Sequence, residues 1–301
     1  MATTVSGSAT VGGTVYPASA SITLPAPVTP PPASGCSLGI YDVADDYPSS
    51  FSGIQAFVTA GCPVRIGTYY CQWQGSWPGN FAALCQQHGV TPFIELEPWF
   101  TTTTWPAFTN IAAGQYDSWL QSFAGSVKSY GLPVMLTYAH EMNGNWYPWG
   151  NGGPQSVTPA QWIASWQHVV TTMNAVAPGL ITWVWAPNNA DVGPVAPYWP
   201  GQEYVGLAAY DGYLQNTSQT FASFQQQTVT QIRALTSGPI WNSECGVEPA
   251  GSGRAAVISE FIKAMQGAGL SGFNWFNQSP FNLTSAEMTT FAAAVSAWNA
   301  G

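Results

Sequence analysis

His140-Glu141-Met142-Asn143-Gly144-Asn145-Trp146-Tyr147-Pro148-Trp149-Gly150 gathers a carboxylate, an amide, a phenol and two indoles in one short stretch. It follows Pro133-Val134-Met135-Leu136-Thr137-Tyr138, an apolar run of strand length. A carboxylate at the end of a buried strand, among aromatic rings, loses hydration. Its charged form is disfavoured, and its pKa rises toward the range of a general acid. Flat aromatic faces are also what a sugar ring stacks on. A second acid, Glu244, closes the run Pro239-Ile240-Trp241-Asn242-Ser243-Glu244. Two carboxylates about 5–5.5 Å apart are what retaining glycoside hydrolysis needs: one protonates the leaving oxygen, the other attacks the anomeric carbon.

Other acids compete for these roles. Glu95 and Glu97 share one face of a strand by two-residue alternation. Glu97, nearer the strand end, is a candidate subsite residue. The alternative is that both are hydrogen-bonded groups of the interior. Glu141 has a structural alternative too, as a buried carboxylate paired with His140. His140 lacks the setting of a metal ligand: His88 and His168 fall in helical segments, and no HExxH helix exists. No cofactor is expected. Trp73, Trp99, Trp105 and Trp185 are candidates for sugar platforms or for packing.

These residues need a frame. Eight short apolar runs recur from Cys36 onward: Leu38–Asp42, Val64–Tyr69, Phe93–Glu97, Val134–Tyr138, Ile181–Trp185, Tyr204–Ala209, Pro239–Glu244 and Gly272–Phe276. Segments of helical spacing lie between them, at Asn80–His88, Tyr116–Tyr130, Pro159–Ala175, Thr220–Leu235, Ala255–Ala268 and Ser285–Trp298. Gly or Pro often marks the return to a strand. Strands alternating with helices over this length predict an α/β fold, a (β/α)8 barrel, as one catalytic domain over residues 36–301. A doubly wound nucleotide fold would want a Gly-rich turn after the first strand, and Asp42-Val43-Ala44-Asp45-Asp46 is not one. In a barrel, chemistry sits at the carboxyl ends of the strands. Asp42, Glu97, Glu141, Asp211 and Glu244 all fall there, five of the 14 acids in the chain.

Composition narrows the partners. Only 6% of the 301 residues are charged, against roughly 25% in ordinary domains. Five Lys and Arg against 14 Asp and Glu leave no basic patch, which argues against nucleic acid and anionic membranes. No apolar run is long enough to span a bilayer. Fifteen Trp, 13 Tyr and 14 Phe are a heavy aromatic load: most fill the core, and some suit a polysaccharide groove. Uncharged polar residues in place of surface ions suggest a secreted protein, expected to be a monomer. They also suggest acid tolerance, since few ion pairs are lost on protonation. In an oxidising compartment, Cys36, Cys62, Cys71 and Cys85 allow two bridges with three connectivities. Cys36–Cys62 with Cys71–Cys85 is the pairing expected, leaving Cys245 as a thiol. Residues 1–35 carry no charged side chain and include Val28-Thr29-Pro30-Pro31-Pro32-Ala33, a polyproline II signal. They read as a Pro/Thr/Ser-rich linker or tail, the stub of a neighbouring module. Asn216-Thr217-Ser218 and Asn282-Leu283-Thr284 match glycosylation acceptors.

The stretch His140–Trp149 resembles the acid/base motif of glycoside hydrolase family 26, and Trp241–Gly246 is similar to its nucleophile motif. Tyr210–Tyr213 and Gly272–Phe276 resemble its sixth and eighth strand segments. The resemblance covers about residues 36–300. It implies a (β/α)8 barrel and a retaining endo-β-glycanase, with Glu141 as acid/base and Glu244 as nucleophile. By the same resemblance His140 and Asn143 bind substrate and Tyr213 hydrogen-bonds Glu244. Trp146 and Trp275 form aromatic walls, and Asp211 belongs to the surrounding shell. Apart from the resemblance, Glu97 and Trp99 near the end of one strand are candidate subsite residues. β-1,4-Mannan is the first expected substrate, followed by mixed-linkage β-1,3-1,4-glucan and β-1,3-xylan. Two positions depart from the pattern. Cys245 replaces a larger apolar residue, and Pro148 stands where many mannanases carry an aromatic, which raises the glucan alternative. An inactive barrel that only binds carbohydrate is a further alternative, though it would be expected to lack one of the two glutamates.

Overall fold

The computed structural model describes residues 3–11, 14–22, 35–46, 50–216, 218–248 and 253–300. Strands β1 (Thr3–Val11) and β2 (Thr14–Ile22) pair antiparallel as a two-stranded sheet. The tail expected as a plain linker therefore contains a hairpin. Its polyproline segment lies outside the described residues.

Eight parallel strands close a barrel in sequence order: β3 (Ser37–Asp42), β4 (Val64–Gln72), β5 (Thr91–Glu97), β6 (Val134–Tyr138), β7 (Ile181–Trp185), β8 (Leu207–Asp211), β9 (Ile240–Cys245) and β10 (Gly272–Asn277), with β10 pairing back onto β3. Each expected apolar run holds one strand. The sixth begins three residues late, because Gln202–Tyr204 forms a 3-10 turn.

Helices α1 (Ser52–Thr59), α2 (Gly79–Gln87), α3 (Phe108–Ala112), α4 (Asp117–Tyr130), α5 (Pro159–Val176), α6 (Phe221–Phe224), α7 (Gln226–Arg233), α8 (Arg254–Gly267) and α9 (Ser285–Ala300) connect the strands. Two 3-10 turns replace a helix between β7 and β8. The longest helix, α5, starts in a capping box: Thr158 accepts from the Gln161 amide, Gln161 reaches back, and Pro159 sits in the first turn. The helix expected over Thr220–Leu235 is divided at Gln225. The buried Gln225 side chain bonds Tyr210, Asn242 and the Gly212 carbonyl, tying that point to the sheet.

Alternation along the strands sorts the barrel interior into layers. Ile66, Phe93, Met135, Ala209 and Trp241 belong to an apolar plug inside the barrel. Two residues further along the same strands stand Thr68, Glu95, Thr137, Asp211 and Ser243, all buried and polar. Asn274 joins this layer and accepts from Thr68 at 3.0 Å. Gly39 makes room for it, since a Cβ there would meet Asn274 Oδ1 at 2.5 Å. The barrel thus changes from hydrocarbon to hydrogen-bonding groups as it approaches its carboxyl-terminal mouth.

The cysteines correct an expectation. Cys36, Cys62, Cys71, Cys85 and Cys245 are all free, buried thiols, with no Cys36–Cys62 or Cys71–Cys85 bridge. They pack as small apolar side chains, and burial pushes the Cys71 thiol up to about 12. A thiol-reactive chromophore should therefore titrate five groups in guanidinium and almost none in the native protein. A denatured count of one would mean that both bridges form.

Candidate active site

Backbone distortion aims Glu141. Ala139 and Glu141, just past the end of β6, both adopt positive φ, at 50° and 54°. Each such non-glycine residue costs on the order of 1–3 kcal/mol and persists only where its surroundings hold it. Two indoles do so: Trp162 Nε1 donates to the Ala139 carbonyl at 3.1 Å, and Trp149 Nε1 to that of His140 at 2.7 Å. The Glu141 amide donates to Ala186 O beside β7 at 2.7 Å. The result turns the Glu141 carboxylate into the mouth, where Trp146 Nε1 and Asn188 Nδ2 each donate to one of its oxygens.

A bulge aims Glu244. Along β9, Trp241 points inward, Asn242 outward to Gln225, and Ser243 inward to Asp211. Strict alternation would send Glu244 out toward the helices. Both neighbouring strands skip one residue here: Tyr210 faces Asn242 and Asp211 faces Glu244 on one side, while Phe273 faces Asn242 and Trp275 faces Cys245 on the other. The extra residue re-aims Glu244 into the mouth. There Tyr70 donates to Oε1 at 2.6 Å and Tyr213 to Oε2 at 2.5 Å. Carboxylate oxygens of Glu141, Asp211 and Glu244 all lie within 4.8 Å of one another, as do side-chain ligand atoms of Glu95, His140 and Glu244. Such triads have the spacing to hold an ion. The donors already on both glutamates suit proton chemistry instead.

Crowding separates the protonation states. Burial, then the charge of Glu244, pushes Glu141 up to about 8, against the pull of Asn188 and Trp146. Burial and Glu244 likewise push Glu97 up to about 8. Glu95 and Asp211 are raised well above the ordinary range, by burial and then by Glu244. Burial also raises Glu244, but the O–H donors of Tyr213 and Tyr70 oppose it. Those two donors favour Glu244 over its neighbours as the carboxylate that keeps its charge. His140 is pushed down to about 3 by burial, so it is a neutral imidazole. Its approaches to Glu95 (3.5 Å) and Glu244 (3.7 Å) are contacts of an uncharged ring rather than ion pairs.

The structure redistributes the expected substrate contacts. Trp146 is 48% exposed, a free aromatic face beside the acid. Tyr213 and Trp99 are half-buried at the mouth, and Glu97 is nearly buried there. His140 has no exposed surface and cannot touch a sugar as placed; it lies beneath the pair and meets Tyr147 Oη at 3.1 Å. Asn143 is also buried. It holds Asn188 O and Gly193 O at 2.9 Å each and accepts from the Asn188 amide at 2.7 Å, which presents Asn188 to Glu141. Asp211 is fully buried and accepts from Ser243. Trp275 is the clearest correction: its parity on β10 sends it outward against Phe291 of α9. The aromatic wall is its neighbour Phe276, which stacks on Tyr41 and meets Tyr70 and Tyr213 edge-on. Trp73 and Trp185 are core residues, while Trp105 is half-buried. Tyr70 and Asn188 hydrogen-bond the two glutamates and are absent from the expected set. Each sits near a strand end, but nothing local marks it as facing a glutamate across the barrel. Arg254 braces this wall from behind. It donates to Phe281 O, Asn282 O, Val247 O and Glu287, and the Phe281 ring stacks on Tyr213 at 4.6 Å.

A cleft of about 560 Å³ opens beside the pair, lined by Glu141, Trp146, Asn188, Asp191, Tyr213 and Gln215 among others. Residues 108–239, which include Glu141, match the family model described as glycosyl hydrolase family 26. By this stretch the chain is similar to glycosyl hydrolase family 26. It is 32% identical over 202 residues to Endoglucanase H of Acetivibrio thermocellus, covering 64% of this chain and 22% of that protein. The chain thus spans about a fifth of the curated relative's length. Among solved structures, the barrel is similar to the Bacillus subtilis mannanase BCman (TM-score 0.63, 18% identity, 90% of this chain and 85% of that one). It is also similar to a Cellulomonas fimi endo-β-1,4-mannanase (TM-score 0.65, 13% identity, 87% and 70%). These structural likenesses establish the shared fold.

The raised carboxyls have a consequence for stability. Glu97 and Glu141 protonate near 8 when folded, against an ordinary 4.5. A raised folded pKa adds stability that is complete below the unfolded value and lost as pH rises through the folded one. Tm should therefore fall as pH is raised from about 4.5 to about 8. Glu287, lowered by Thr284 and Arg254, works the other way and loses its contribution in acid. A calorimetric Tm that climbs across that window would contradict the assignment.

Proposed function

We propose that this protein is a retaining endo-β-glycanase that cleaves the backbone of a β-linked polysaccharide outside the cell. One observation carries the reading: Glu141 and Glu244 approach within 4.8 Å at the barrel mouth, the first raised to about 8 and the second held by two phenols. So close an approach fits a double-displacement site rather than an inverting one, which holds its carboxyl groups roughly 6.5–9.5 Å apart.

The division of labour follows from the neighbours. Ionised Glu244 attacks the anomeric carbon while protonated Glu141 donates to the departing glycosidic oxygen. Once the glycosyl–Glu244 ester forms, the charge that raised Glu141 is gone. The pKa of Glu141 then drops, and it becomes the base that takes a proton from the attacking water. Trp146 and Phe276 supply flat apolar faces for the sugar, and the polar side chains of the cleft meet its hydroxyls.

For the backbone sugar, two readings have support. Relationship to Endoglucanase H, together with Pro148 in place of an aromatic, favours a β-glucan, so mixed-linkage glucan moves ahead of the initial expectation. β-1,4-Mannan follows, since the similar barrels include mannanases.

Reducing-sugar release should be measured on barley β-glucan, lichenan, glucomannan, galactomannan and β-1,3-xylan. Glu244→Ala should abolish release from every polymer that the native protein cleaves. Glu141→Ala should retain more activity on an aryl glycoside with a good leaving group, which needs little protonation. No release from any polymer by folded protein would reject the reading. The pH profile offers a second check. Tyr213→Phe removes a donor that lowers the pKa of Glu244, so the acidic limb of kcat/KM should move up by about one unit. Asn188→Ala removes one that lowers the pKa of Glu141, so the basic limb should move up instead.

A further inference from the structure

Glu95 has no part in the chemistry above, yet it lies under both glutamates that do. It is on β5, two residues below Glu97, and is almost wholly buried in the polar layer of the barrel. Neither of its carboxyl oxygens has a hydrogen-bond partner among the described residues. No Lys or Arg of the described residues forms an ion pair with it; its nearest basic group is His140 Nδ1 at 3.5 Å. That imidazole is itself fully buried, and its Nδ1 also lacks a partner. Ligand atoms of Glu95, His140 and Glu244 fall within 4.8 Å of one another.

The groups that face Glu95 are almost all acidic. Tyr70 approaches from β4, His140 and Glu141 from the end of β6, and Tyr147 from the turn beyond. Asp211 approaches from β8, Glu244 from β9, and Glu97 from its own strand. A carboxylate at this point would be unhydrated, without a cation, and surrounded by other acids. Charge burial of that kind is relieved by taking up a proton. A protonated carboxyl has something the carboxylate lacks, an O–H to donate.

We propose that Glu95 is a positioning residue that acts as a neutral O–H donor beneath Glu244, helping to keep the nucleophile ionised and aimed. The inference rests on the glycosidase reading of the site. Tyr70 and Tyr213 occupy one lone pair on each oxygen of Glu244, and a carboxylate has further lone pairs to offer a third donor. Burial also raises Glu95 well above its ordinary range, in keeping with this role.

Two substitutions separate donor from carboxylate. Glu95→Gln keeps a donor of similar shape that cannot ionise. It should hold kcat/KM within about threefold of the native value and leave the acidic limb in place. Glu95→Leu keeps the volume but removes the donor. It should lower kcat, rather than raise KM, by about 10- to 100-fold, the range of a lost hydrogen bond to a charged group, and move the acidic limb to higher pH. Equal losses in both variants would show that the carboxylate itself is needed and overturn the proposal. A native profile in Glu95→Leu would overturn it as well. An infrared difference spectrum of native protein against Glu95→Gln at pH 7 gives a readout independent of turnover. The native protein should show the C=O stretch of a protonated carboxylic acid that the variant lacks. Loss of a carboxylate band instead would overturn the proposal even with no substrate in hand. A native protein inactive on every polymer but showing the acid band would overturn the glycanase reading and leave the protonation of Glu95 standing.

Discussion

The mouth of this barrel can afford roughly one negative charge. Glu95, Glu97, Glu141, Asp211 and Glu244 converge there with almost no exposed surface, and the described residues place no Lys or Arg in ion-pair contact with any of them. Two ionised carboxylates so close in a dry site repel strongly, so protons must be shared out among them. Donors decide where the charge stays. Glu244 has phenols on both oxygens, and the others do not. That inequality sets a carboxyl that holds its proton beside one that holds its charge, as the proposed acid and nucleophile require.

Holding such a cluster sets demands on the fold. Ala139 and Glu141 in left-handed conformations and the bulge before Glu244 are local departures from regular geometry. Both point carboxylates where a plain strand would not. They are maintained by buried indoles on α5 and the 140–150 turn, by Asn143 tying down the loop of Asn188, and by Arg254 behind Phe281 and Tyr213. The apolar plug lower in the barrel fixes the strands that carry all of this. The high Trp content has a structural meaning here: several indole N–H groups act as donors that lock carbonyls near the active site.

The polar layer between plug and mouth links stability to function. Its members are buried with several donor and acceptor atoms unpaired, including those of Glu95, Thr137, Asp211 and Asn274. Such a layer is less favourable than packed hydrocarbon. It lies directly below the reacting pair, where neutral polar groups can support one charge without adding another.

The sequence by itself determined the barrel and pointed to one pair of carboxylates at its mouth. Short apolar runs alternating with segments of helical spacing depend on local chemistry, and so does an acid placed where a buried run ends. The positions of Glu141, Glu244, Trp146 and Tyr213 at the mouth were legible for that reason, aided by family resemblance. What the tertiary structure decided depends on register and on contacts far apart in the chain. Trp275 and Phe276 are adjacent and both aromatic, and only their parity on β10 shows that the second faces the mouth. Tyr70 lies 174 residues from Glu244, and Asn188 lies 47 from Glu141, so no local pattern announces either contact. His140 and Asn143 belong to the recognised motif, but burial makes them supports rather than sugar ligands. The cysteines follow the same rule: spacing suggested bridges, whereas packing left five separate thiols. Barrel closure brings each strand end to a common rim, and that closure is what turns scattered acids into one titrating group.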